Sequence, residues 1–271
     1  MNVFERERKK PESAGEALAV LEPRAPVIAT MQASEGDAMR RVWDDRGNTA
    51  LFSQLRNIRR EIGSLLDEKR ARQRGTVILV TSAMPGEGKS FLSVGLGRVF
   101  SSGHDRRAVL VDGDLPKRHL TDAMGTRDQP GIIECLSDGR SLSDVLCRTD
   151  QPALNFIPAG RWRPDAPDLM CGTRMDRILE SFRQCESRVF IVDTAPILAF
   201  GETAYLAERA DLVLLIVRAD RTPRAAADEA LRKLAGNRPL AVVLNGQKGS
   251  VLDSYYGYGD SYGDYSPAEK K

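Results

Sequence analysis

No stretch of the sequence approaches the roughly 18–20 consecutive apolar residues that a bilayer-spanning helix needs. The opening MNVFERERKKPE is charged with no apolar run behind it, so it does not read as a secretory leader. The expectation is a soluble, cytoplasmic protein, peripheral to the inner face of the membrane only through a partner. Histidine is scarce, with two residues, and Cys135, Cys147, Cys171 and Cys185 show no C-x-x-C spacing. That argues against a zinc site and for free thiols in a reducing compartment. An excess of one charge is missing as well: 40 Lys and Arg against 38 Asp and Glu leave +2, no basis for nucleic-acid binding. Aromatic residues make up only 6%, yet five of the six tyrosines lie together in DSYYGYGDSYGDY, residues 253–265. There they alternate with Gly, Ser and Asp, which cannot build a core around them.

What remains, in 271 residues, is enough for one sizeable α/β domain with extensions, or two small domains. Residues 1–47 are rich in Pro, Glu, Arg and Ala without sustained periodicity, and read as a mostly disordered extension. A leading basic helix is expected over 48–74. Leu51, Leu55, Ile58, Ile62 and Leu65 form one face, Arg56, Arg59 and Arg60 lie near it, Asn48 or Thr49 caps the start, and Gly75 ends it. Six short apolar runs follow, at 77–82, 108–112, 154–159, 188–193, 211–217 and 240–245. They are β-branched and continuous, as strands buried on both faces of a parallel sheet are. Helices are expected around 89–102, 167–184, 202–209 and 222–236, with one or two short ones in 130–148. The βαβα order indicates an α/β fold, a wound, mostly parallel sheet with helices on both faces, spanning 48–247. A flexible tyrosine-rich tail, 248–271, follows.

The first run leads into AMPGEGKS, residues 83–90, a P-loop pattern with Ala83 in place of the first Gly. Gly86 and Gly88 permit a turn whose N–H groups face phosphate oxygens, and the helix starting near Lys89 adds its partial positive charge. Pro85, Gly86, Glu87, Gly88, Lys89, Ser90 and Phe91 are therefore the candidate nucleotide-binding residues. Lys89 is placed to reach the β- and γ-phosphates of ATP, and Ser90 to bind Mg²⁺. Two further strands end in acids: AVLVDGD in Asp112 and Asp114, RVFIVDT in Asp193. Each alone is no more than a helix-cap signal. Beside a P-loop they supply a metal ligand and a second carboxylate able to accept a proton.

The set SAMPGEGKS, VLVDGDL, FIVDTAP, LLIVRADRT and VVLNG resembles the bacterial tyrosine kinases of capsule and exopolysaccharide synthesis, from about residue 48 to the end. It is similar to the type whose membrane activator is a separate polypeptide. The resemblance implies a P-loop NTPase fold and an ATP–Mg²⁺-dependent autokinase. Catalytic roles would fall to Lys89, Asp112, Asp114 and Asp193, with Mg²⁺ at Ser90, Asp112 and Asp193. Asp114 would orient or deprotonate the incoming hydroxyl. The phosphate acceptors would be Tyr255, Tyr256, Tyr258, Tyr262 and Tyr265. The implied partners are a membrane polysaccharide chain-length regulator, a tyrosine phosphatase and other copies of the chain. Four positions depart from the family pattern. Pro116 stands where a base is common, with Lys117 and Arg118 after it. Ala195 replaces a Pro. The subunit-contact motif E-x-x-R-x-x-R reads Ala50, Ser53 and Arg56.

Septum-positioning and plasmid-partition ATPases are the alternative within the same fold. Their loop carries an extra Lys where this chain has Met84, and such proteins more naturally end in an amphipathic membrane helix. A weakly active regulatory scaffold, with a tail used for weak self-association, is the other alternative. The Tyr/Gly/Asp tail favours the kinase: glycines leave its backbone free to enter an active site, and each phosphate would add about −1.5 to −2 charges.

Overall fold

Burial on both faces is why five of the strands read as continuous apolar runs: nearly every residue of the central ones is inaccessible. The computed structural model describes residues 28–29, 38–44, 49–66, 73–103, 107–236 and 238–246. The chain runs β1 (Ile28–Ala29), α1 (Ala38–Asp44), α2 (Thr49–Leu65), β2 (Thr76–Ser82), α3 (Lys89–Ser101), β3 (Arg107–Gly113) and α4 (His119–Ala123). It continues through α5 (Ile132–Asp138), α6 (Leu142–Val145), β4 (Cys147–Thr149), β5 (Leu154–Ile157), α7 (Ala166–Met170) and α8 (Thr173–Arg183). β6 (Arg188–Thr194), α9 (Gly201–Ala207), β7 (Leu212–Arg218), α10 (Arg224–Leu234) and β8 (Leu240–Asn245) complete it. One eight-stranded sheet results, in the order β1-β4-β5-β3-β6-β2-β7-β8. Every pair is parallel except β4 with β5.

Successive residues of β2 alternate between two cores. Val77 and Leu79 face the layer of α5 to α10, where Phe182 stacks on Phe190 with centroids 4.1 Å apart. Ile78 and Val80 face the layer of α1 to α3. α3 is buried almost all round, because α1 and α2 pack on its outer side. Gly95 meets the Leu55 and Val42 side chains there, and Gly97 meets Leu154 of the sheet. The two glycines are thus points of close approach, one helix to helix and one helix to strand.

Several sequence expectations are corrected. α1 lies inside the stretch expected to be mostly without structure. Met39, Val42 and Trp43 are all buried, and Trp43 Nε1 donates to Asp150 Oδ1 at 3.1 Å. One helical turn of apolar spacing is too short to register as periodicity. α2 stops at Leu65, and residues 67–72 of the helix expected over 48–74 lie outside the described residues. Gly75 leads into β2, its N–H donating to the Arg183 carbonyl at 2.9 Å, with no room for a Cβ against the Phe182 carbonyl. The helix expected over 167–184 is broken, since Gly172 is extended and starts α8 afresh. β4 begins in a stretch expected to be helical, and its Cys147 and Arg148 pair antiparallel to β5. At the other end of the sheet β8 has no further neighbour among the described residues, and Val242 and Leu244 are half exposed on it. The tail and most of the N-terminal extension lie outside the described residues.

Candidate active site

β2 runs between β6 and β7, so the loop after it sits at the middle of the carboxyl edge of the sheet, where wound α/β folds bind ligands. Gly86 and Gly88 have φ of +83° and +94°, a region that L side chains avoid. At Gly88 a Cβ would also overlap the Asn245 amide, so glycine is required twice over. α3 begins at Lys89, and its first-turn N–H groups lack intrahelical partners, which suits an anion. On the neighbouring strands Asp112 of β3 pairs in register with Asp193 of β6.

These residues converge. Lys89 Nζ donates to Asp114 Oδ2 at 2.7 Å and lies 4.0 Å from Asp193 Oδ2. Ser90 Oγ donates to Asp193 Oδ2 at 2.6 Å, and Ser93 Oγ to Asp193 Oδ1 at 3.1 Å. Asp112 Oδ2 accepts both the N–H and the hydroxyl of Thr121, each at 2.7 Å. All three carboxylates and Lys89 are buried. Burial works against the Lys89 charge, but Asp193 and Asp114 outweigh it and raise its pKa. Burial, then the Asp193 charge, pushes Asp112 up to about 7 against the Thr121 bonds. Asp193 is likewise raised by burial, despite Lys89 and Ser90.

Three carboxylates against one ammonium are more negative charge than Lys89 can neutralise. Two carboxylates and the Ser90 hydroxyl are a donor set that suits Mg²⁺ completed by phosphate oxygens rather than an all-protein cage. No cluster of three or more His, Cys, Asp or Glu forms such a cage among the described residues. The residues present therefore fit a nucleotide with its cation.

The loop is braced by residues that the sequence did not single out for that task. Glu87 is buried: Oε2 accepts the Met84 N–H at 2.8 Å and Oε1 accepts the Thr222 hydroxyl. Thr222 Oγ1 in turn accepts the Arg218 N–H at 3.0 Å, and Asn245 Nδ2 donates to the Glu87 carbonyl at 2.8 Å. Glu87 thus points into the protein and serves the loop from behind, and Asn245 serves it too. Pro85 and Met84 are exposed on the loop's outer side.

A cavity of about 520 Å³ lies over the loop, lined by Gly86, Gly88, Lys89, Ser90 and Phe91 together with Met39 of α1. Lys117 and His119 also reach it. The two bases after Pro116 diverge: Lys117 lines the cavity, while Arg118, at φ +48°, donates to the Gly160 carbonyl at 3.2 Å. Ala195 needs no proline to fix its turn, because its carbonyl accepts Thr81 at 2.8 Å and Thr203 at 3.0 Å. Ala50, Ser53 and Arg56 are exposed along α2. Cys135 and Cys147 are buried thiols that burial raises to about 12 and about 11, far from any reactive form. Tyr255, Tyr256, Tyr258, Tyr262 and Tyr265 lie outside the described residues.

No family model matches the chain. Among curated proteins it is 35% identical over 192 residues to EpsB of Ralstonia solanacearum, provisionally named a tyrosine-protein kinase, covering 70% of this chain and 25% of that one. It is 32% identical over 193 residues to the tyrosine-protein kinase CpsD of Streptococcus pneumoniae, covering 70% of this chain and 83% of that one. The chain thus spans about a quarter of EpsB but most of CpsD. Of solved structures, the kinase domain of the Escherichia coli tyrosine kinase ETK matches with a TM-score of 0.70 at 22% identity, over 83% of this chain and 91% of that one. The VpsO kinase domain matches with a TM-score of 0.64 at 25% identity, over 80% of this chain and 100% of that one. The ETK likeness, at that identity, speaks to the fold alone.

Proposed function

The chain belongs to the bacterial tyrosine kinases of capsule and exopolysaccharide synthesis, and on that premise we propose that it is an ATP–Mg²⁺-dependent protein-tyrosine autokinase. Its acceptors are Tyr255, Tyr256, Tyr258, Tyr262 and Tyr265. One observation carries the reading: Lys89, Ser90 and Asp193 meet within hydrogen-bond or ion-pair reach, with Asp114 on Lys89 and Asp112 beside Asp193, in a chain that ends in a tyrosine cluster.

When bound, ATP–Mg²⁺ supplies the γ-phosphoryl group and the positive charge that balances the buried carboxylates. Ser90 and Asp193 hold the cation, with Asp112 in support, oriented by Thr121. Pro85 to Phe91 wrap the phosphates. With the nucleotide bound, Lys89 would serve the β- and γ-phosphate oxygens in place of Asp114, which would leave Asp114 Oδ2 free. Asp114 then orients the tyrosine hydroxyl or takes its proton. Met39 of α1 covers one side of the cavity and keeps water from the transferring group.

Phosphorylation runs between copies. The exposed face of α2 is the contact with a neighbour or with an activator, the cytoplasmic part of a membrane chain-length regulator. A tyrosine phosphatase opposes the reaction. In this reading the partner carries the enzyme to the inner face of the membrane; among the described residues no helix is long and apolar enough to cross one.

The test is incubation of the purified chain with ATP and Mg²⁺, with and without an activator fragment, followed by mass-spectrometric site mapping. Phosphate is expected mainly on the five tail tyrosines. Replacing all five by Phe should remove most of the label and leave ATP affinity unchanged; label persisting elsewhere would contradict the acceptor assignment. The brace behind the loop gives a second expectation. Thr222→Val strands the buried Glu87 carboxylate, and losing one charge-assisted hydrogen bond should weaken ATP binding about tenfold. Thr222→Ser should restore it in calorimetric titration.

A further inference from the structure

The opposite edge of the sheet holds a second charged cavity that the mechanism above does not use. About 600 Å³ in volume, it lies between α8, the lead-in to β2, and the turns that enter β7 and β8. Arg74, Arg177, Arg183, Arg209 and Arg238 line it against three acidic residues, with Glu208 3.5 Å from Arg209 beside them, so five guanidiniums meet four carboxylates and a local surplus of +1 remains. Four of the guanidiniums are held in place, Arg238 Nε by the Glu208 carbonyl at 3.0 Å. Asp211 accepts the Val77 N–H at 2.9 Å, Arg74 Nη2 at 2.6 Å and Arg183 Nε at 3.5 Å. Arg183 also donates to the Arg209 carbonyl. Asp176 accepts Arg209 Nε at 2.6 Å and the Tyr205 hydroxyl at 2.9 Å, and Arg209 lies 3.4 Å over the Tyr205 ring. Arg177 and Arg238 stand exposed at the rim.

Acids that fix guanidinium planes while leaving a surplus of positive charge make a preorganised receiver for phosphate oxygens, which arginine forks bind two at a time. We propose that this cavity binds the phosphorylated tail of its own chain, residues 253–265. That stretch carries Asp253, Asp260 and Asp264 and no basic residue. Each phosphotyrosine adds about −1.5 to −2 charges, so the complementarity grows with every transfer. The chain length suffices. Tyr255 lies ten residues beyond Asn245, a reach of roughly 33–36 Å when extended. β7 beside it, which separates the two edges, has seven residues and is about 23 Å long. An unphosphorylated tail, with three charges, stays available to an active site. A phosphorylated one is drawn to the far edge and withdrawn from it. The proposal rests on the tail being the phosphate acceptor.

The probes are synthetic peptides of residues 253–265, unphosphorylated or phosphorylated at Tyr255, Tyr256 and Tyr258, titrated by fluorescence anisotropy into the full, phosphate-free chain. The phosphopeptide should bind at least tenfold more tightly, and Arg177→Gln with Arg238→Gln should lower its affinity at least tenfold. A full chain with the phosphopeptide ligated as its tail should no longer take up added phosphopeptide and should be no more associated than the phosphate-free chain. The idea is overturned by equal affinity of the two peptides, by a double variant that binds like the parent, or by undiminished uptake in the ligated chain. Displacement by an equal concentration of inorganic phosphate would likewise overturn it, since the cavity would then read phosphate and not the tail. None of these outcomes depends on the chain phosphorylating itself, so failure here and failure of the autokinase reading are separable: the second shows only in the site mapping.

Discussion

Lys89→Met is expected to lower tail phosphorylation at least about a thousandfold, since one preorganised donor aimed at developing charge accounts for roughly 10²–10³ and this one also positions the phosphates. Stability should fall with it. Lys89 is the cation between Asp114 at 2.7 Å and Asp193 at 4.0 Å, in a pocket where all four groups are buried. Removing one partner of a buried pair typically costs about 3–5 kcal/mol, because the other charge is left uncompensated. Some of that is relieved by protonation, since Asp112 and Asp193 already hold their protons more tightly than ordinary carboxyls. A double variant separates the two losses. Lys89→Met with Asp114→Asn removes the stranded charge, so its melting temperature should recover most of the decrease while transfer stays absent. Calorimetry and radiolabel incorporation on the same preparations read both. Retained transfer in the single variant would end the P-loop assignment.

Gly131→Ala is expected to disturb the fold strongly for a single methyl group. Gly131 has an extended backbone, so its glycine is a matter of space: a Cβ would overlap the Pro158 carbonyl and the Gly160 N–H, both main-chain atoms. Overpacking of this type costs about 3 kcal/mol, which for a domain of this size lowers the melting temperature on the order of 10 °C. The damage should not stay local. The loop that must move includes Ala159, whose N–H donates to Thr121 Oγ1 at 2.9 Å, and Thr121 holds Asp112. Glu134, which accepts the Gly131 N–H at 2.7 Å and the Arg161 N–H at 3.0 Å, is part of the same corner. ATP–Mg²⁺ affinity is therefore expected to weaken in protein that is still folded at low temperature. A variant with normal melting would show that the corner yields freely.

The sequence made the central sheet legible because each strand is sandwiched and its apolar run is unbroken, as in RVFIVD and DLVLLIV. It made the grouping of Lys89, Ser90, Asp112 and Asp193 legible because Asp112 and Asp193 close two such runs, Lys89 and Ser90 open the helix that follows a third, and parallel register brings the ends of adjacent strands together. The supports were hidden for a physical reason. Thr222 and Asn245 meet Glu87 from 135 and 158 residues away, and Thr121 meets Ala159 from 38. A hydroxyl or amide that bonds across such distances leaves no local pattern. Asn245 only closes an apolar run in the sequence, and the structure gives it to the loop. α1 was missed because three buried side chains on one turn carry no periodicity, and β4 because a strand of three residues looks like the tail of a helix.

The bare margin of β8 bears on how the molecule has to be handled. A strand with no further neighbour among the described residues, and with Val242 and Leu244 half exposed, is a template on which other chains can nucleate. The segment that follows it in the chain carries Asp253, Asp260 and Asp264, charges of the kind that keep such margins apart. A version truncated after Asn245, the natural reagent for asking whose tail is modified, would strip that protection from the strand that needs it. Its solubility, and not only its catalysis, would then decide what such an experiment reads.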